Sequence, residues 1–110
     1  FSALHRIDSD ELFHHISGGE VEMLCLHADG RGEIVSAGQP DAQDSEPVIL
    51  VPGGTWQGML LAETATEDYA LFSVSVTPAF EWTHFDLASR TALISQYPDW
   101  EELILKLTRV

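Results

Sequence analysis

Positive charge is almost missing from this chain: five Lys and Arg stand against 18 Asp and Glu, a net charge of −13 over 110 residues. Such a surface repels phosphate backbones and anionic lipid, so neither nucleic acid nor a membrane is expected as a partner. No apolar run approaches the ~18 residues of a membrane span, and no signal-peptide pattern is read in these residues. Cysteine is reduced to Cys25, which excludes an internal disulfide framework. That usage fits a reducing compartment, and a cytoplasmic location is expected. Cys25 lies inside VEMLCLH, where a thiol reads as an inert core group rather than a nucleophile. A phosphate-cradling Gly-rich loop, a nucleotide fingerprint and a Ser-His-Asp order are also absent.

What the chain does have is a 45% hydrophobic content arranged in short regular runs, enough for one domain over residues 1–110 with a core of its own. Residues 1 to about 85 read as strands separated by turns: SALHRI, ELFHHI, EVEMLCLHA, EIVSAG, PVILVP, GGTWQGMLLAE and YALFSVSV. In EVEMLCLHA, Val21, Met23, Cys25 and His27 alternate with Glu22, Leu24 and Leu26. PVILVP is a continuous apolar run between prolines and reads as a strand buried on both faces. Residues 37–47 carry no periodicity and read as a loop. The period then changes. Leu93, Ile94, Tyr97, Trp100, Leu103, Ile104 and Leu107 fall at helical spacing, within a tail over about 87–108 that Pro98 divides. Its two helices are expected over about 89–96 and 98–108, with Trp82 and Trp100 packing the cap. The chain opens on Phe1 in what already reads as a strand, so further sequence is expected upstream.

Residues 5–19, HRIDSDELFHHISGG, gather three imidazoles and a group of carboxylates. A metal site, an acid–base site and a polar run on an ordinary sheet are all open readings. Strand alternation puts Glu11, Phe13 and His15 on one face and Leu12, His14 and Ile16 on the other. His14 reads as a hydrogen-bonded residue between the sheet and a neighbouring element; His27 and His84 read as surface residues.

HRIDSDELFHHISGGEVEML, VILVPGGTWQG and YALFSVSVTPAFEWTHFDLA together resemble the cupin superfamily, specifically a small group of uncharacterised cupins often called family five. The elements of that group's pattern occur here in order over nearly the whole chain, with Ala79 where the group usually has Gly. The resemblance implies an all-β cupin-type double-stranded β-helix, a jelly-roll β-sandwich with a helical C-terminal cap and without its N-terminal strands. It also implies a homodimer.

Cupins in general ligate metal through His-x-His, a Glu-x6-Gly segment and Pro-x-Gly-x-x-His. Carried onto this sequence, Glu11 and Gly18 fit, His5 takes the first His position and Ile7 stands at the second. Pro52 and Gly54 fit the second motif, with Gln57 where its His would be. Two imidazoles are therefore lost from a set that transition metals favour. No cofactor is expected; a divalent metal, were one bound, would take His5, Glu11, His15 and Gln57.

The resulting expectation is a cavity in which His5, Glu11 and Gln57 converge. A hairpin across the DSD turn brings His5 beside Glu11, and Gln57 arrives from the facing sheet. Phe13, His15, Trp56, Ser73 and Ser75 complete the expected lining. The competing reading is a polar network that fills a barrel without chemistry. An unpaired buried polar group costs on the order of 1–3 kcal/mol, so three converging ones point to a ligand. That ligand is expected to be a small polar organic molecule such as a sugar or carboxylate derivative. His5 and Glu11 would be the catalytic pair of an epimerase or isomerase, the carboxylate raising the basicity of the imidazole. The alternatives are a non-catalytic binding or sensing module and a metal-dependent cupin enzyme, the latter disfavoured by Ile7 and Gln57.

Overall fold

Alternation in VEMLCL gives one strand two apolar faces, and the layers of the fold follow from it. The structure, a computed structural model, describes residues 1–39, 44–65, 67–78 and 85–109. Its strands are β1 (Ser2–Ile7), β2 (Asp10–Gly18), β3 (Val21–Leu26), β4 (Gly32–Ala37), β5 (Val48–Val51), β6 (Trp56–Leu61), β7 (Ala70–Thr77) and β8 (Phe85–Leu87). They form a five-stranded sheet in the order β4-β3-β6-β1-β8 and a three-stranded sheet in the order β5-β2-β7. Helices α1 (Arg90–Gln96) and α2 (Glu101–Lys106) follow, joined through a 3-10 turn at Pro98–Trp100. Proline suits the start of that turn, where no backbone N–H is needed. The architecture is the jelly-roll sandwich with a helical cap. No helix among the described residues is long and apolar enough to cross a membrane.

Between the sheets, Val21, Met23 and Cys25 of β3 meet Phe13, Ile49 and Val51. The opposite face of the five-stranded sheet presents Leu4, Leu24 and Leu26 to Leu93, Tyr97, Ile104 and Leu107 of the helical tail. Hydrogen bonds fasten the tail to the sheet: Leu4 N–H donates to Leu107 O (2.8 Å), Ala88 N–H donates to Leu4 O (3.1 Å), and the Tyr97 hydroxyl donates to His27 O (2.6 Å). Trp100 packs against this cluster, its indole over Gly32, where any Cβ would collide with the ring.

Three local expectations give way. The run VILV is buried on one face only: Ile49 and Val51 face the core, while Val48 and Leu50 are exposed. β5 is an edge strand of the three-stranded sheet, and nothing among the described residues covers its outer face. The DSD turn does not close a hairpin. β1 pairs with β6 and β8, β2 with β5 and β7, so the chain crosses there from one sheet to the other. Finally, Phe85–Leu87 is a strand; three residues are too few to show a period.

The crossing is held by the 52–54 turn. Gly53 N–H donates to the Asp10 carboxylate (2.8 Å) and Gly54 N–H donates to Ile7 O (2.8 Å). A Cβ at Gly53 would strike the Asp8 carbonyl, and Gly54 has a φ of +84°, so both glycines are required where they stand. The turn before β6 is thereby clamped onto the turn between β1 and β2.

Candidate functional site

That clamp determines what faces what. In β6, Gln57 and Met59 point between the sheets while Trp56 and Leu60 point toward the helices. In β1, His5 and Ile7 point inward; Leu4 lies under the helices and Arg6 on the outer side. His5 and Gln57 are direct cross-strand partners, and Glu11 reaches the same space from β2 in the opposing sheet. A cleft of about 470 Å³ results, lined by Ser2, His5, Glu11 and Gln57 together with Ile7, Phe13, Met59, Phe72, Val74, Val76 and Phe85. An adjoining hollow of about 520 Å³ shares Ser2, Met59 and Phe72 but none of the ionisable groups. The chemistry therefore lies in the first.

Hydrogen bonding fixes the imidazole. His5 Nδ1 lies 2.8 Å from Ala3 O, an acceptor, so Nδ1 carries the proton. Nε2 is then the lone-pair nitrogen, and it accepts from the Gln57 amide at 2.6 Å. The ring also stacks on Phe85, with centroids 5.3 Å apart. Gln57 is 1% exposed, and its Oε1 has no hydrogen-bond partner among the described residues. Glu11 is buried. Its carboxyl is raised above the ordinary range, chiefly because burial disfavours the charge, while a charged His5 ring and the Gln57 amide would act in the other direction. A carboxyl pushed upward in an apolar cleft is a combination that acid–base sites use.

The other residues named from the sequence lie elsewhere. Trp56 stands on the helix-facing side with the Arg6 guanidinium 4.6 Å above its ring; adjacent strand residues cannot share a face, so Gln57 excludes it. His15 shares a face with Glu11 and Phe13 but sits one step further along, its Nε2–H donating to Gly19 O (2.9 Å) and its ring edge-on to Phe72. Ser73 and Ser75 are exposed on the outer face, where Ser75 borders a second hollow with Asp10, Glu11, Leu12, Leu50 and Thr77. His14 has an Nδ1 that is buried without a hydrogen-bond partner among the described residues, not the bond expected of it. His27 is partly buried and lies 3.3 Å from Glu33. Trp82, His84 and Ala79 lie outside the described residues. The sequence reading missed the apolar walls supplied by Ile7, Met59, Phe72, Val74, Val76 and Phe85. Alternation in YALFSVSV sets three of them, Phe72, Val74 and Val76, on the face opposite Leu71, Ser73 and Ser75.

Cys25 is the inward neighbour of Gln57 on β3. Burial, and to a smaller degree the Glu33 charge, push its thiol up to about 12, so it is no thiolate nucleophile at neutral pH. Among the described residues no three His, Cys, Asp or Glu side chains stand together as a metal would require.

The family model described as "Cupin superfamily (DUF985)" matches residues 1–88, four-fifths of the chain. The chain belongs to the cupin superfamily. Among solved structures, this cupin is similar to protein SO0799 from Shewanella oneidensis, with 27% identity and a TM-score of 0.80 over 97% of this chain and 66% of that one. It also resembles a hypothetical protein from Leishmania major, with 23% identity and a TM-score of 0.87 over 98% of this chain and 69% of that one. The second likeness is one of fold. The chain thus spans about two thirds of the length of these two structures. No curated protein matches this cupin.

Proposed function

We propose that this cupin binds a small organic molecule in the cleft between its sheets, without a metal, and exchanges protons with it through Glu11 and His5. One observation carries the reading: His5, Glu11 and Gln57 from β1, β2 and β6 converge in a cleft whose other lining residues, Ser2 apart, are apolar or aromatic. A few placed polar groups in an apolar hollow is the usual make-up of a ligand site. Three such groups with no occupant would be a costly way to fill a core. The reaction class that suits a raised carboxyl opposite a neutral imidazole is proton transfer at carbon, as in an epimerase or isomerase. The donor set of one imidazole, one carboxyl and one amide supports the metal-free form, because both imidazole nitrogens are already engaged.

A second reading is a binding module without catalysis, and the same bond favours it. While Gln57 occupies His5 Nε2, the imidazole has no free nitrogen to act as a base. Incubation with a bound ligand in D₂O separates the two. Deuterium entering the ligand at carbon, lost in Glu11→Gln, supports proton transfer; binding with no exchange leaves the module reading. A cleft that takes up no ligand from a fragment collection by thermal shift would defeat both.

A further inference from the structure

We infer that the occupant of the cleft has an aromatic or apolar body and an amine or other N–H-bearing head, and is not a carboxylate, phosphate or nucleotide. This deepens the ligand-binding reading above and rests on it. It also departs from the sugar or carboxylate derivative expected from the sequence.

The argument starts from a full account of the positive side chains. The chain has five, and all are among the described residues. Arg6 lies on the outer face, 2.8 Å from Asp86 and above Trp56. Arg31 lies in the β3–β4 turn beside Asp29. Arg90 is bonded to Thr108 and the Leu105 carbonyl within the helical tail. Lys106 ends α2, and Arg109 sits 5.5 Å over the Phe1 ring. None lines the cleft, and residues 79–84 hold no Lys or Arg. An anionic head would therefore be buried beside Glu11 with no guanidinium or ammonium to compensate it, and the imidazole of His5 already has both ring nitrogens engaged; an uncompensated buried charge is strongly disfavoured.

The polar groups at hand ask for the opposite. Glu11 is a buried carboxyl that gains from a cationic or N–H partner. Gln57 Oε1 is a buried acceptor still without a donor among the described residues. Both line the same cleft or belong to a side chain that does. Around them Phe13, Phe72 and Phe85 offer ring surface, to which a cation or an aromatic body is attracted. The net charge of −13 adds a long-range field of the same preference.

The probes are benzylamine, benzyl alcohol and benzoate, one ring with three heads, titrated at low ionic strength and followed by NMR at Met59 and Phe72. Benzylamine is expected to bind at least tenfold more tightly than benzoate, with the alcohol between them, and Glu11→Gln to erase the advantage of the amine over the alcohol. Benzoate binding as tightly as the amine, or more so, overturns the inference while leaving the cleft a ligand site. Failure of all three to perturb either residue at millimolar concentration overturns the ligand-site reading, and the inference with it.

Discussion

The two faces of the five-stranded sheet are built from the same strands to different ends. Toward the helices, Leu4, Leu24, Leu26, Ile104 and Leu107 are each at most 1% exposed, and the Tyr97 hydroxyl of the same cluster is hydrogen-bonded to His27 O. Toward the other sheet, His5, Gln57 and Met59 border an open cleft, and the Gln57 Oε1 has no hydrogen-bond partner among the described residues. One face is covered by the helices; the other is closed around Met23 and Val51 but stops short of closing at His5 and Gln57, where it retains polarity. The contrast teaches that stability can be concentrated on the side remote from the chemistry, leaving the side that faces a ligand free to be underpacked.

Matched truncations put this contrast to its hardest trial. Ile104→Ala removes a side chain from the filled face and is expected to cost about 2–5 kcal/mol in chemical denaturation. Met59→Ala, beside space already empty, is expected to cost roughly 1 kcal/mol. Equal costs would show that the two faces are equally packed.

A smaller effect follows from Glu11. Its folded carboxyl is raised above the ordinary 4.5, so the folded state holds the proton more tightly than the unfolded one. Stability contributed by this group is thus full below about pH 4.5 and is lost as pH rises through the folded value. Glu11→Gln should remove that fall, so its melting temperature should gain on wild type from about pH 4 to pH 7. A constant difference across the range would show that Glu11 is not strained by burial. The smallest effect belongs to the rim. Asp86→Asn, which breaks the exposed 2.8 Å pair with Arg6, is expected to change stability by about 0–1 kcal/mol in the same denaturation assay.

Much of this was readable before any coordinates. The double face of β3, the helical tail and the division at Pro98 follow from periodicity, because each element is long enough to repeat its pattern. Glu11, Phe13 and His15 were placed on one face by the same counting, whereas His5 and Gln57 came from the resemblance to the cupin motifs. The failures have physical causes. VILV carries apolar side chains on both faces although only one is covered, so composition gave no sign of the exposed side. The DSD turn is as short as a hairpin turn, and nothing local distinguishes a strand that pairs with its predecessor from one that crosses to the other sheet. Only the contact between that turn and the 52–54 turn decides it. Trp56, Ser73 and Ser75 were chosen by chemical type where the alternation of their own strands pointed them away.

β3 leaves almost nothing free to vary. Five of its six residues are buried, so a substitution there meets the helices on one side or the packed core between the sheets on the other. β7 is the opposite case: Leu71, Ser73 and Ser75 are exposed on one side while Phe72, Val74 and Val76 line or approach the cleft on the other. A change of wall at β7 alters what the cleft accepts and leaves the helix-covered core as it was. Mutational tolerance in this molecule is therefore distributed by strand, and new ligand preferences are most accessible through β7.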